Sequence, residues 1–275
     1  EGVEIEGIGA TGLITYMRTD SLRISDEAAE QAKIYITDTY GKEYLPATRR
    51  VFKTKKNAQD AHEAIRPSDP SLTPDRVKKD LTAEQYKLYK LIWERFIASQ
   101  MANALLDTVA VDIEAANCLF KASGFTVKFD GFTVLYEESK DTDDENTASL
   151  PPLEAGNVLT LKELTPNQHF TQPPARYTEA SLIKTLEENG IGRPSTYAPT
   201  ITTILARGYV ERENKSLKPT ALGEVTTKLM EEQFAKIVDV TFTANMEKTL
   251  DEVEEGNVDY PKMLSGFYDD FMTTL

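Results

Sequence analysis

The hydrophobic pattern of this chain changes twice, near Asp107 and again near Pro173, and this limits the fold to regions of different secondary structure. The first region carries apolar residues at helical spacing, the second carries short alternating runs typical of strands, and the third returns to helical spacing. We therefore predict a multidomain protein with both α and β structure, mainly α. Its expected domains are residues 1–104, 105–172 and 173–275.

The first region is predicted to contain two long helices. Ser25 is followed by two acids, which is typical of a helix start, and this helix is expected to run to about Asp38. Thr82 and Gln85 fit a capping box, from which a second helix is expected to run to about Met101. The first region is therefore expected to be helical.

The second region is predicted to form antiparallel strands. The runs "TVAVDIEA", "CLFKAS", "FTVKF" and "FTVLYE" are rich in Val, Phe and Tyr, and "SG" and "DG" separate them as turns would. "VLTLKEL" resumes this pattern after an acidic stretch, residues 137–150, which lacks the Gly and terminal Glu of an EF-hand and is predicted to be a solvated loop. The single cysteine, Cys118, excludes a disulfide framework and is expected to be buried.

The third region has the outline of a winged helix-turn-helix. Thr178 can cap a helix that Gly190 ends, and Ser195 can cap a second helix that Gly208 ends. The run "YVERENKSLKPT" then predicts a hairpin, followed by a helix at about 221–234. The same outline also occurs in plain packing units, so it does not establish DNA binding alone.

The charge of the chain argues against a nucleic-acid footprint over its whole surface. The formal net charge is −14, and carboxylates repel phosphates. A local basic surface is still expected, because five bases and no acid lie between Arg49 and Lys56.

No run of about 18 apolar residues and no basic region followed by an apolar stretch is present, so we predict a cytoplasmic protein that does not enter a membrane. The start at Glu1 suggests a fragment of a larger protein.

The stretch "ITYMRTDSL" contains the first candidate catalytic residues, Tyr16 and, two residues later, Arg18. In an extended strand both side chains would point to one side. A phenol becomes a nucleophile when it loses its proton, and a guanidinium both stabilises the phenolate and grips a phosphate. Thr19 and Ser21 add hydroxyl donors for phosphate oxygens, and Asp20 could orient Arg18. The alternative is a packed strand tyrosine beside a surface arginine.

Two further stretches point to phosphate. "NAQDAHEAIRPS" places Asp60, His62, Glu63 and Arg66 beside the basic run. An imidazole next to carboxylates is a candidate phosphate ligand or proton carrier, or else a structural residue. "GIGRPST" places glycines, a guanidinium and hydroxyls at a helix start, where free N–H groups attract phosphate. Arg207, at the end of that helix, could add a backbone contact. The alternative for "GIGRPST" is a tight turn between helices.

Taken together, "TYMRTDS", "AHEAIRP" and "YTEASL…GIGRPSTYA" closely resemble the bacterial type IA DNA topoisomerases, in that family's order and over essentially the whole chain. Met17 resembles the topoisomerase I branch. The resemblance implies that Tyr16 attacks single-stranded DNA to form a 5′-phosphotyrosyl link, that Arg18 stabilises the charge on the phosphate, and that His62 helps to position it. The residues expected to bind DNA are Arg18, Thr19, Ser21, Arg66, Arg193, Ser195, Thr196 and Arg207.

The resemblance also implies what surrounds these residues. The three domains would be a helical tyrosine-bearing domain, a β arch segment that serves as a hinge, and part of a winged-helix-like domain. The family's Mg²⁺ ligands lie in a Toprim domain that nothing here resembles, so no metal or cofactor is expected on this fragment. Its expected partners are single-stranded and negatively supercoiled DNA and the remainder of the same polypeptide. The fragment alone is predicted not to relax supercoils.

Three other functions are open to a chain with these residues. A non-catalytic winged-helix DNA-binding module, in which Tyr16 merely packs, is the main alternative. A tyrosine recombinase would need an Arg-His-Arg set around a late tyrosine, and a relaxase would need a histidine cluster for a metal. The early tyrosine and the separated His62 and His169 disfavour both.

Overall fold

The chain folds into two compact units, Glu1–Leu164 and Thr165–Leu275. Both combine α-helices with small antiparallel sheets, so the predicted mixture of α and β structure is confirmed, while the division into three domains remains a prediction. None of the described helices is long and apolar enough to cross a membrane. The computed structural model describes residues 2–19, 21–52, 62–137 and 150–274.

The first unit pairs a helical part with one long hairpin. Short 3₁₀ turns follow α1, α2 and β4, at Lys42–Tyr44, Lys78–Asp80 and Gly131–Val134. Its strands and helices are β1 (Val3–Ile5), β2 (Gly9–Thr11), α1 (Asp26–Thr39), α2 (Pro74–Val77), α3 (Ala83–Gln100), β3 (Leu105–Ala115) and β4 (Cys118–Phe129).

Local side-chain caps explain where the two long helices of this unit begin. The Ser25 hydroxyl accepts a hydrogen bond from the N–H of Ala28 at 3.2 Å and starts α1. Thr82 and Gln85 form the predicted capping box, with bonds of 3.2 and 3.0 Å, and start α3. Because each cap satisfies N–H groups that have no partner inside the helix, both predicted helix starts are confirmed.

The core of the first unit lies between α1 and α3. Ile36 of α1 and Ile97 of α3 are fully buried, and Trp93 packs edge-on against Tyr35 with ring centroids 5.1 Å apart. The indole N–H of Trp93 donates to the carbonyl of Pro70 at 3.0 Å, so its one polar atom is satisfied. This core holds the chain segments that carry the candidate site.

The hairpin β3–β4 differs from the prediction of several short strands. Ser123 and Gly124, read as a turn, pair with Ala110 and Val109 inside the ladder. The turn is instead made at 116–117, where both residues have positive φ as a tight hairpin connection requires. A glycine can stay within a strand, and the two residues that adopt positive φ fix where the chain reverses.

Three other expectations for the middle region also change. "FTVLYE", predicted as a strand, begins instead with the 3₁₀ turn Gly131–Val134, and "VLTLKEL", residues 158–164, forms no strand because no described segment pairs with it. Cys118, expected to be buried, is exposed next to the hairpin turn. Most of the acidic stretch 137–150 lies outside the described residues.

The second unit follows the predicted order of helix, turn, helix, hairpin and helix. Gly190 and Gly208 have φ values of 69° and 67° where α4 and α5 end, as predicted. The Thr178 side chain caps α4 by accepting from the N–H of Ser181 at 3.1 Å. The elements are α4 (Glu179–Glu188), α5 (Pro194–Ala206), β5 (Val210–Glu213), β6 (Ser216–Pro219), α6 (Ala221–Gln233), α7 (Ala235–Val238), α8 (Val240–Glu254) and α9 (Tyr260–Thr274).

The prediction that Ser195 caps α5 is wrong. The helix begins one residue earlier, at Pro194, whose fixed φ suits the first helical position. Arg193 is therefore the capping residue, and the Thr196 hydroxyl bonds to its backbone, accepting from the N–H at 2.9 Å and donating to the carbonyl at 3.0 Å. Ser195 lies in the first turn and is exposed.

Substituting Gly223 should destabilise the second unit. This glycine lies in the first turn of α6, and a Cβ added there would overlap the carbonyl oxygen of Tyr209, which already accepts from the N–H of Thr220 at 3.0 Å. Because backbone must shift to make room, we expect Gly223→Ala to cost about 1–3 kcal/mol in denaturant unfolding. Gly266→Ala is the control, since no atom lies within 4 Å of its added Cβ. The control should be neutral or stabilising by about 0.5–1 kcal/mol, and equal effects would contradict the prediction.

Candidate active site

The segment that carries Tyr16 is hydrogen-bonded to the segment that carries His62. Ile14 forms an antiparallel bridge with Pro67, and the N–H of Thr15 donates to the carbonyl of Arg66 at 2.9 Å. The two motifs, which lie about fifty residues apart in sequence, therefore meet in the fold as one short two-stranded arrangement.

The hydroxyl of Thr15 adds two more bonds at this junction. It donates to the carbonyl of Ala64 at 2.8 Å and accepts from the N–H of Arg66 at 3.0 Å. Thr15 thus fixes the register of the two segments directly beside Tyr16. Sequence reasoning missed this residue, and the one available signal was a hydroxyl residue placed immediately before the candidate nucleophile.

The phenol of Tyr16 is open to solvent and lies against an imidazole. Tyr16 is 74% exposed, so the alternative of a packed tyrosine is wrong. Its ring stacks on His62, with centroids 5.8 Å apart and ring planes inclined by 28°. Among the described residues, Nδ1 of His62 is buried and has no hydrogen-bond partner. An exposed phenol beside this imidazole is an arrangement that a reacting phosphate can reach.

The chain turns directly after Tyr16 instead of continuing as a strand. The N–H of Arg18 donates to the carbonyl of Tyr16 at 3.0 Å, which closes a three-residue turn. The segment is therefore not the extended strand in which Tyr16 and Arg18 would point to one side. Thr19 is exposed, whereas Ser21 is buried and its hydroxyl accepts from the N–H of Arg23 at 3.2 Å. Asp20 lies outside the described residues.

Arg66 is occupied inside the protein. Its guanidinium donates to Oε2 of Glu63 through Nε at 3.0 Å and Nη2 at 2.7 Å, and to the carbonyl of Pro67 at 3.0 Å. Only 12% of this side chain is exposed. The structure therefore places Arg66 as a brace of the segment that carries His62, and Glu63 is a second residue of this site that the sequence reading did not assign.

The basic run between Arg49 and Lys56 is described only at its start. Arg49 pairs with Asp26 at 2.5 Å, and Arg50 bonds to Asn103. The remaining bases of the run, together with Asp60, fall within residues 53–61, outside the described ranges. Both described arginines thus have partners within the chain.

The residues of the second unit that are predicted to bind DNA differ in whether their polar groups are already bonded within the chain. Ser195 and Arg207 are exposed, while the Thr196 hydroxyl is used in the cap of α5. Arg193 pairs through Nε with Glu247 at 2.9 Å and through Nη2 with Asp251 at 2.6 Å. The hydrogen bond to Asp251 is the main cause that raises the pKa of the Arg193 guanidinium.

Comparison with known proteins agrees with these motifs. A family model described as DNA topoisomerase matches residues 6–265. The chain belongs to the bacterial DNA topoisomerase family. The family named from the three motifs is thereby confirmed.

A solved relative shows how much of such a protein this chain represents. The structure of full-length topoisomerase I from Thermotoga maritima, in a monoclinic crystal form, resembles this topoisomerase chain with a TM-score of 0.77 and 38% sequence identity. The match covers 99% of this chain and 44% of the T. maritima chain. The chain therefore spans less than half the length of that relative.

The described residues do not fit the Mg²⁺ that the resemblance implies for the intact enzyme. Across the ranges that the structure describes, no group of three or more His, Cys, Asp or Glu side chains is placed to hold a metal ion. We therefore assign no step to a metal on this topoisomerase chain.

Replacing Thr15 tests the junction between the two motifs. Thr15→Val has nearly the same shape but leaves the carbonyl of Ala64 and the N–H of Arg66 without their hydroxyl partner. We expect a loss of about 1–3 kcal/mol in the free energy of unfolding, measured with denaturant. Thr15→Ser keeps the hydroxyl and is the control. A valine variant as stable as the serine variant would show that these bonds contribute little.

Proposed function

We propose that this chain is the tyrosine-bearing part of a type IA DNA topoisomerase that cleaves and rejoins single-stranded DNA through Tyr16. The observation that carries the proposal is the exposed phenol of Tyr16 stacked on His62, at the place where the two motif segments pair through the bridge between Ile14 and Pro67. Family membership supports the same assignment. The expected location is the cytoplasm, where its DNA substrate lies.

The reaction we assign to Tyr16 is a transesterification. The phenol loses its proton, its oxygen bonds to phosphorus, and the bond from phosphorus to the 3′ oxygen breaks, so that the 3′ oxygen takes up a proton. The product is a 5′-phosphotyrosyl link and a free 3′-hydroxyl. One phosphodiester replaces another, so the break can be resealed without ATP. Passage of another strand through the break would relax negative supercoils.

Two neighbours of Tyr16 would support this step. Arg18 follows within the same turn, and its guanidinium matches the charge that grows on the phosphate oxygens. His62 lies against the tyrosine ring, where an imidazole can position the phosphate or carry a proton. Thr19 offers an exposed hydroxyl close by in sequence.

The remaining DNA contacts we propose are Ser195 and Arg207, whose side chains are exposed in the second unit. They lie at the start and at the end of α5, within an element order that fits a winged-helix DNA-binding domain. By contrast, the hydroxyls of Ser21 and Thr196 and the guanidinium of Arg66 already bond to other groups of the chain, so we propose that these residues support the DNA site rather than touch DNA.

The experiment that tests the proposal is covalent capture of DNA by a complemented chain. We would mix this chain with a separately expressed Toprim-containing N-terminal part, Mg²⁺ and labelled single-stranded DNA, and look for an adduct that survives SDS. We expect such an adduct. If the two parts associate and bind DNA without forming one, the chain is better described as a module that holds DNA without cutting it.

The chain alone should not relax DNA. We expect a negatively supercoiled plasmid to stay unrelaxed on an agarose gel after incubation with the purified chain and Mg²⁺, because the catalytic acids implied by the family lie in another domain. The complemented mixture is the positive control. Efficient relaxation by the chain alone would contradict this expectation and would require a metal site within it.

A further inference from the structure

The start of α5 is tied to α8 by a single arginine. Arg193 pairs through Nε with Oε2 of Glu247 at 2.9 Å and through Nη2 with Oδ1 of Asp251 at 2.6 Å. The same Nη2 lies 3.3 Å from the backbone carbonyl of Glu247. Glu247 and Asp251 are four residues apart on α8, so both carboxylates lie on one face of that helix.

These contacts use the edge of the guanidinium that would otherwise grip a phosphate. Bidentate recognition of an anion needs two parallel N–H groups, and here Nε and Nη2 already donate to carboxylates. The two acids carry two negative charges against one positive charge. A DNA phosphate approaching this edge would therefore meet net repulsion.

The turn that precedes α5 is also held close to α8. Gly190 and Gly192 have φ values of 69° and 78°, which lets the chain reverse tightly between α4 and α5. A Cβ added to Gly190 would lie 3.9 Å from Cβ of Ala244, at ordinary contact distance, so the turn packs near this helix. The ion pairs thus reinforce a contact that the backbone already makes.

We propose that Glu247 and Asp251 are positioning residues that hold the first turn of α5 in place through Arg193, whose guanidinium, in a side chain that is 42% exposed, pairs with these carboxylates instead of with a DNA phosphate. The first turn of α5 presents the exposed Ser195. This inference rests on the proposed function where it concerns DNA, while its structural part can be tested without DNA.

The first test measures the structure of the chain itself. Hydrogen exchange of the backbone N–H groups at 195–198 should become about two- to fivefold faster in Asp251→Asn and in Arg193→Ala, as expected for a partly exposed ion pair. Glu254→Gln is the matched control, an exposed acid on the same helix, and should leave exchange unchanged. Unchanged exchange in both test variants would overturn the proposal.

The second test uses the sign of the effect on DNA binding. If Arg193 were a phosphate ligand, Asp251→Asn would release it and remove a repelling charge, and binding of a fluorescent single-stranded oligonucleotide would tighten. If Arg193 positions α5, the same variant should bind about two- to fivefold more weakly than Glu254→Gln, which removes an equal charge from the same helix. Binding tighter than that of Glu254→Gln overturns the proposal. Because the oligonucleotide can bind without being cut, this result does not depend on covalent capture.

A charge exchange provides the third readout. The double variant Arg193→Asp with Asp251→Arg, made together with Glu247→Gln so that no second carboxylate faces the introduced aspartate, keeps one ion pair and reverses its direction. For a positioning role it should restore both slow hydrogen exchange at 195–198 and the SDS-stable adduct of the complemented chain, relative to either single variant. Restored exchange without restored adduct would identify Arg193 as a DNA ligand. Absence of any adduct from the unmodified complemented chain would instead count against the proposed function, leaving the exchange result as the test of positioning.

Discussion

Replacing Tyr16 with phenylalanine should remove the SDS-stable adduct completely in the complemented assay. Phe keeps the ring that stacks on His62 but lacks the oxygen that would bond to phosphorus. The side chain is 74% exposed, so losing its hydroxyl should leave the fold intact. The measurement is adduct yield on a denaturing gel, together with oligonucleotide binding by fluorescence anisotropy, which we expect to change little.

A matched control separates the nucleophile from a general loss of tyrosine. Tyr268 is 56% exposed and lies on α9 in the second unit, so Tyr268→Phe should form the adduct at the unmodified level. If Tyr16→Phe still forms the adduct, another residue is the nucleophile. In that event the stack on His62 would be a packing contact, and the proposed chemistry would be wrong.

Replacing Trp93 with alanine should produce the largest loss of stability in the first unit. This side chain is 3% exposed, packs edge-on against Tyr35 and donates to the carbonyl of Pro70. Truncation removes the packing, leaves a cavity and strips the carbonyl of its partner, so we expect a loss of about 3–5 kcal/mol. Since Trp93 is the only tryptophan, unfolding should be followed by circular dichroism rather than by fluorescence.

The control for this variant lies on the same helix. Leu91 is 49% exposed, so Leu91→Ala removes apolar atoms that are only partly withdrawn from water and should cost less than about 1 kcal/mol. Equal losses from the two variants would show that the core between α1 and α3 contributes less than its burial indicates. The tryptophan variant should also weaken DNA capture, because this core supports the segments that carry Tyr16 and His62.

Helix boundaries could be predicted because their causes are local. Ser25, Thr82 and Thr178 each bond to an N–H group three residues ahead, so a short window of sequence contains all the information. The error at Ser195 is of the same kind. Pro194, the residue directly before it, takes the first helical position and moves the cap to Arg193.

Strand pairing could not be predicted as well, because a strand depends on its partner. The dipeptides "SG" and "DG" in the middle region predict turns, yet Gly124 of the first pairs with Val109 inside one long ladder, while Gly131 of the second begins a 3₁₀ turn. The turn falls at Ala116 and Asn117, where alanine gives little warning of a positive φ. Residues 158–164 have a strand-like pattern but no described partner, so they form no strand.

The candidate site shows the same contrast. The motifs identified Tyr16 and His62, and the structure brings the two rings together. The part played by Thr15 depends on the register between distant segments, which no local pattern reveals, whereas the bond from Arg66 to Glu63 spans only three residues. Arg66 and Arg193 have the residue type expected of a phosphate ligand, yet their partners are carboxylates of the same chain.

The long-range bonds at Thr15 make the pairing of Tyr16 with His62 depend on the folded state. The hydroxyl of Thr15 reaches a carbonyl 49 positions away, so this bond holds the segment of Tyr16 against the segment of His62 only in the folded protein. Here unfolding separates the phenol from its imidazole neighbour at once, and closing that loop again carries an entropic cost. Any reaction that needs both rings is therefore confined to the folded state.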